Sequence, residues 1–113
     1  MCTHSQLQKI LSEIYQTAVR EFGEKLDAVI LYGSYARGDY DDSSDIDVMV
    51  RVKMPKPELI QYRRTFSHLG SDLGLAHDIV VSIHLQDYET FARYRRHLPF
   101  YQNVDKEGVL VSA

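Results

Sequence analysis

The spacing of apolar residues divides the chain into segments of two different periods. From Leu7, the positions Leu7, Ile10, Leu11, Ile14, Ala18 and Phe22 recur every three or four residues. This predicts an amphipathic helix with one buried face, stopped by Gly23. Asp27 to Tyr32 is instead a continuous run of strand formers closed by a Gly33-Ser34 turn, the pattern of a central strand. After the turn, Tyr35 to Gly38 has enough helical propensity to begin a helix. From Asp45 to Val52 the chain alternates: Ile46, Val48, Val50 and Val52 share one face, and Asp45, Asp47, Met49 and Arg51 share the other. A half-buried strand is predicted there.

Pro57 suits the first turn of a second helix, whose buried stripe is Leu59, Tyr62, Phe66, Leu69 and Leu73 and whose end is marked by Gly70 and Gly74. A third strand, His77 to Leu85, puts Ile79, Val81, Ile83 and Leu85 opposite Asp78, Val80, Ser82 and His84. Asp87 can cap a further helix running to about His97, with Pro99 ending it. The last stretch, 107–113, reads as a short edge strand or a docking tail. Helices and strands therefore alternate, and the fold class expected is α+β (α/β), a single domain with a mixed sheet flanked by helices.

Composition narrows this picture. A chain of 113 residues suits one domain. It contains no apolar run long enough to span a membrane and no signal-like leader, so a cytoplasmic setting is expected. The lone Cys2 offers no internal disulfide and no cysteine zinc site, and reads as a mobile terminal thiol. Thirteen basic against sixteen acidic side chains give a net charge of -3, which argues against direct binding of a nucleic-acid backbone. The basic run Arg93 to His97 reads as a solvated helix face.

The chemistry is concentrated between Leu31 and Val50. On a strand, residues two apart face the same way with Cα atoms ~6.5 Å apart, so Asp45 and Asp47 project carboxylates into one volume. Such a pair repels itself unless a cation intervenes. Mg²⁺ suits it, because that ion commonly takes one or two carboxylates and fills its remaining positions with water and phosphate oxygens. Gly33 would let a phosphate approach the backbone, and the Ser34 hydroxyl with helix-start amides would donate to it. Together they describe a site for a metal-bound nucleoside triphosphate. The glycines fit neither G-x-G-x-x-G nor a P-loop. An EF-hand beginning at Asp39 fails at Ser44 and Val50, and the histidines lack zinc spacing.

The stretch GSYARGDYDDSSDIDVMV resembles the Gly-Ser turn and Asp-x-Asp strand of the DNA-polymerase-beta-like nucleotidyltransferase superfamily. The whole chain, including the tail from Pro99 to Val111, is similar to its minimal nucleotidyltransferases (MNT), small prokaryotic proteins often paired as antitoxins with HEPN-domain toxins. The resemblance implies a third carboxylate on a neighbouring strand, for which Asp78 fits by position. It also implies a two-metal Mg²⁺ site held by Asp45, Asp47 and Asp78, with Asp78 on the acceptor side and Gly33 and Ser34 on the triphosphate. The activity implied is transfer of AMP from ATP to a hydroxyl, here a tyrosine of a HEPN-type toxin. A small-molecule acceptor and a non-catalytic antitoxin that acts by occlusion are the alternatives. Loop length varies in this superfamily, so Asp39, Asp41 and Asp42 read as solvated. Arg37 is left between pairing with a loop aspartate and reaching a phosphate, and the oligomeric state, homo-oligomer included, is left open.

Overall fold

The computed structural model describes residues 2–112. Helix α1 (His4–Phe22) opens with a capping box, in which the Thr3 hydroxyl accepts from the Gln6 amide at 3.1 Å and the Gln6 side chain accepts from the Thr3 amide at 2.9 Å. It stops at Gly23, whose φ of 54° suits a residue without Cβ. Four strands follow in the chain: β1 (Leu26–Tyr32), β2 (Ile46–Val52), β3 (Val81–Asp87) and β4 (Val109–Leu110). They form one sheet in the order β3-β2-β1-β4, with β2 and β3 parallel and the other pairs antiparallel. The mixed sheet flanked by helices is thus as expected.

One face of the sheet carries the alternating stripe of β2 (Ile46, Val48, Val50 and Val52) against Ile10, Ile14, Ala18 and Phe22 of α1. A short helix α2 (Ser34–Arg37) belongs to the turn after β1; the second helical region lies on this face too, but in three pieces, α3 (Lys56–Leu59) and a 3-10 turn leading into α4 (Arg63–His77). Gly70 and Gly74 do not end this helix. A Cβ on Gly70 would lie 2.9 Å from the Val81 carbonyl oxygen, and one on Gly74 2.7 Å from that of Ile79. The two glycines, one helical turn apart, let α4 press against the backbone leading into β3.

The opposite face corrects the half-buried expectation for β2. Met49 is fully buried there with Ile30, Phe91 and Val104, so the strand is covered on both sides. The cover comes from α5 (Tyr88–Tyr94) and α6 (Pro99–Glu107). Asp87 caps α5 as expected, accepting from the Thr90 amide at 2.8 Å. The helix ends at Tyr94 rather than His97, and Pro99 starts α6 rather than only stopping its predecessor. The third strand begins at Val81, four residues later than its alternation suggested, because α4 extends to His77. The tail contributes the short edge strand β4 against Ile30 and Leu31 of β1, and Ala113 of that stretch lies outside the described residues. Cys2, expected as a terminal thiol, is half-buried with Sγ 3.8 Å from the Tyr35 hydroxyl.

Candidate active site

The covered face of β2 opens at its N-terminal end. Antiparallel pairing sets Tyr32 of β1 opposite Asp47, and parallel pairing sets Ser82 of β3 opposite Asp47 on the other side. The turn after β1 therefore arrives beside the Asp47 carboxylate. Gly33 has φ 75° and ψ -156°, and a Cβ there would lie only 2.5 Å from Asp47 Oδ2. Glycine is required both by its conformation and by the carboxylate next to it. Its carbonyl accepts from the Ala36 and Arg37 amides at 3.1 Å, which starts α2, and Gly38 (φ 88°) ends that turn. The first amides of such a turn have no partner in its own ladder.

Electrostatics set this corner apart. Burial and then the charge of Asp45 hold the Asp47 carboxyl above its ordinary value, with the Arg37 cation acting in the opposite direction. The Tyr32 phenol, pushed up to about 12 by burial and by Asp47, keeps its proton at neutral pH. Asp45 is exposed at the open end of the strand. Two hard oxygen donors repel across a small volume, and one oxygen lies where the Gly33 side chain would be. That donor set fits a hard divalent cation better than a histidine or thiolate metal.

The loop residues divide by role. Asp41 accepts from the Ser43 hydroxyl at 2.7 Å and the Ser43 amide at 2.9 Å, which lower its pKa, while its own amide donates to Ser44 Oγ at 2.9 Å. It shapes the loop that delivers Asp45. Arg37 pairs with Asp39 at 3.2 Å and with Glu107 at the end of α6 at 3.4 Å, which ties the loop to the helical cover. Pairing with a loop aspartate, the first of its two expected roles, is what the structure displays.

Asp78 stands apart from the other two carboxylates. It caps α4 in a left-handed conformation (φ 54°), ahead of β3, and is exposed. The Val80 carbonyl accepts from the Ile46 amide at 2.9 Å, so Asp78 lies two residues beyond the level of Asp45. Both line an open groove of about 1150 Å³ that continues past Arg63, Leu75 and Ser82 along α4 and β3. Asp47, Gly33 and Ser34 do not line it, so groove and carboxylate corner meet only at Asp45. Among the described residues, no three His, Cys, Asp or Glu side chains are gathered as a metal-holding group.

Two neighbours of the corner carry no sequence motif. Tyr32 is one, and its role follows only from strand register. Phe100 is the other: its ring meets Tyr32 at 5.7 Å and His84 at 5.9 Å between centroids, both nearly edge-on.

Comparison with known proteins gives the site its context. Residues 6–108 match the nucleotidyltransferase domain family. The chain belongs to that family. As a nucleotidyltransferase it is 38% identical over 78 residues to a candidate protein adenylyltransferase of Methanocaldococcus jannaschii, a match covering 68% of this chain and 76% of the relative. Its fold superposes on the crystal structure of a candidate nucleotidyltransferase from Sulfolobus solfataricus with a TM-score of 0.58 and 28% identity, covering 94% of this chain and 81% of the other. A chain from a toxin-antitoxin structure with AMP-PNP gives a TM-score of 0.52 at 22% identity, covering 94% and 73%, and bears on the fold alone. No described helix of this nucleotidyltransferase is long and apolar enough to cross a membrane.

Proposed function

We propose that this nucleotidyltransferase transfers AMP from ATP to a hydroxyl of another protein in a Mg²⁺-dependent reaction. The observation that carries the reading is the contact of Gly33 with Asp47: a phosphate-type turn built against a carboxylate whose neighbour is a second carboxylate. Asp45 and Asp47, with Asp78 on the acceptor side, would hold two Mg²⁺ ions. Such ions, when bound, neutralise the triphosphate and favour the nucleophilic form of a hydroxyl.

The remaining work falls to the chain itself. Gly33 lets the triphosphate approach, and the Ser34 hydroxyl with the first α2 amides donates to its oxygens. Tyr32 stays neutral beside Asp47 and so adds no third negative charge. Arg37, fixed by Asp39 and Glu107, holds the loop that presents Asp45. Positioning and fixed charge supply the rate, because phosphoryl-type transfer asks little covalent chemistry of the protein.

A protein acceptor is favoured by the 38% identical relative, which is named for protein adenylylation. The sequence resemblance makes a tyrosine of a HEPN-type toxin the acceptor, in the cytoplasm, with all 113 residues acting as one nucleotidyltransferase domain. Parallel incubations with ATP labelled at the α- or the γ-phosphate test the reaction type. Label on the partner protein from α-labelled ATP alone is expected; label from γ-labelled ATP would mean phosphoryl transfer and refute the reading.

A further inference from the structure

On the face of the sheet that bears the carboxylates, helical cover runs out in the middle of β2. Met49 is fully buried under Phe91 and Val104, whereas Asp47, two residues before it, is only half-buried and Asp45 is exposed. The side chain at this boundary is Phe100, near the start of α6. Tyr32 lies opposite Asp47 on β1, and His84 lies opposite Met49 on β3. A ring in contact with both must cross β2 between Met49 and Asp47.

The ring is unusual in its exposure and in the geometry of its contacts. Phe100 is 42% exposed, although the other phenylalanines, Phe22, Phe66 and Phe91, are at most 5% exposed. Its three aromatic neighbours, Tyr32, His84 and Tyr101, meet it at interplanar angles of 87°, 80° and 79°. None of them lies parallel to it. Steeply inclined contacts with three rings fix the plane of Phe100, and its exposed part has no parallel-stacked aromatic partner among the described residues.

We infer that Phe100 is the stacking wall for the base of the nucleoside triphosphate. The inference rests on the proposed nucleotide site at Gly33, Asp45 and Asp47, and geometry selects the base over an acceptor ring. In-line displacement puts the leaving pyrophosphate and the attacking oxygen on opposite sides of the α-phosphorus. The Gly33-Ser34 turn occupies the β1 side, and Asp78 with the open groove occupies the β3 side. The nucleoside leaves this line sideways, and along β2 it meets Phe100. Stacking reads ring area rather than hydrogen-bond pattern, so purine nucleotides bind better than pyrimidine nucleotides through this wall.

Calorimetry with Mg²⁺, α,β-methylene-ATP and inorganic triphosphate separates the wall from the phosphate site. Phe100→Ala is expected to weaken α,β-methylene-ATP binding about tenfold, leave triphosphate within about twofold, and reduce the preference for ATP over CTP analogues. Phe100→Trp should restore the binding. Unchanged ATP-analogue affinity in Phe100→Ala would overturn the wall while leaving the site reading intact, as would an effect confined to the acceptor. Equal loss of both ligands would also overturn it, by making Phe100 a packing residue only. Wild-type protein that binds neither ligand, or binds them independently of Asp47, would overturn the nucleotide site and this inference together.

Discussion

The two ends of β2 place charge on the same face of the same sheet and treat it in opposite ways. At the C-terminal end, the Arg51 guanidinium donates to Asp27 Oδ2 at 2.6 Å and lies 4.4 Å from the centre of the Phe91 ring, with Lys53 3.8 Å from the other Asp27 oxygen. The paired side chains are only 16% and 17% exposed. At the N-terminal end, half-buried Asp47 faces another carboxylate and a neutral phenol. One end satisfies its charge within the chain. The other leaves its charge to be satisfied by something cationic, and that contrast separates a structural ion pair from a candidate active site.

Breaking the N-terminal end should have the largest effect on chemistry. Asp45→Ala or Asp47→Ala is expected to lower nucleotide transfer by more than about a hundredfold with the fold retained, as read by label transfer and circular dichroism. Gly33→Ala should come next, because its Cβ meets Asp47 Oδ2 and its backbone strain costs about 1–3 kcal/mol. Both activity and melting temperature should fall. Arg51→Ala breaks the opposite end: with a part-buried Asp27 left unpaired, stability should drop by about 1–3 kcal/mol in denaturant titration, while turnover per folded molecule is unchanged. Asp87→Ala removes the α5 cap at about 1 kcal/mol.

The smallest effect concerns pH. Because the folded Asp47 carboxyl binds its proton more tightly than the unfolded one, the metal-free protein should lose stability as pH rises through the window between those two values. The penalty is fully present at neutral pH. Asp47→Asn should therefore modestly raise the melting temperature of the metal-free protein at pH 7 and lose that advantage in acid. An unchanged or lower melting temperature at pH 7 would contradict the electrostatic reading of this corner.

The contrast between the two ends was only partly legible in the sequence. Alternation along β2 is a local signal, so the shared face of Asp45, Asp47, Met49 and Arg51 could be read directly. Gly33 could be read because a turn glycine between strand and helix has few other uses. Gly70 and Gly74 could not, since the same letter serves a helix stop and a close helix-strand approach, and only the backbone near Val81 and Ile79 separates them. Pro99 carries a similar ambiguity between ending one helix and starting the next. With α6 hidden, nothing in the sequence could cover Met49 or place Phe100 beside Tyr32 and His84. Asp78 follows only from its position in a family pattern, and its place ahead of β3 depends on how far α4 runs.

The most direct measurement is the intact mass of a purified HEPN-domain protein, the class of acceptor proposed above, after incubation with this chain, ATP and Mg²⁺. Wild-type protein is expected to add AMP-sized increments that disappear when a chelator is present or when Asp45 and Asp47 are both replaced by alanine. No increment with the wild type, or an equal increment with the double variant, would contradict the assignment of the acidic end of β2 to nucleotide transfer.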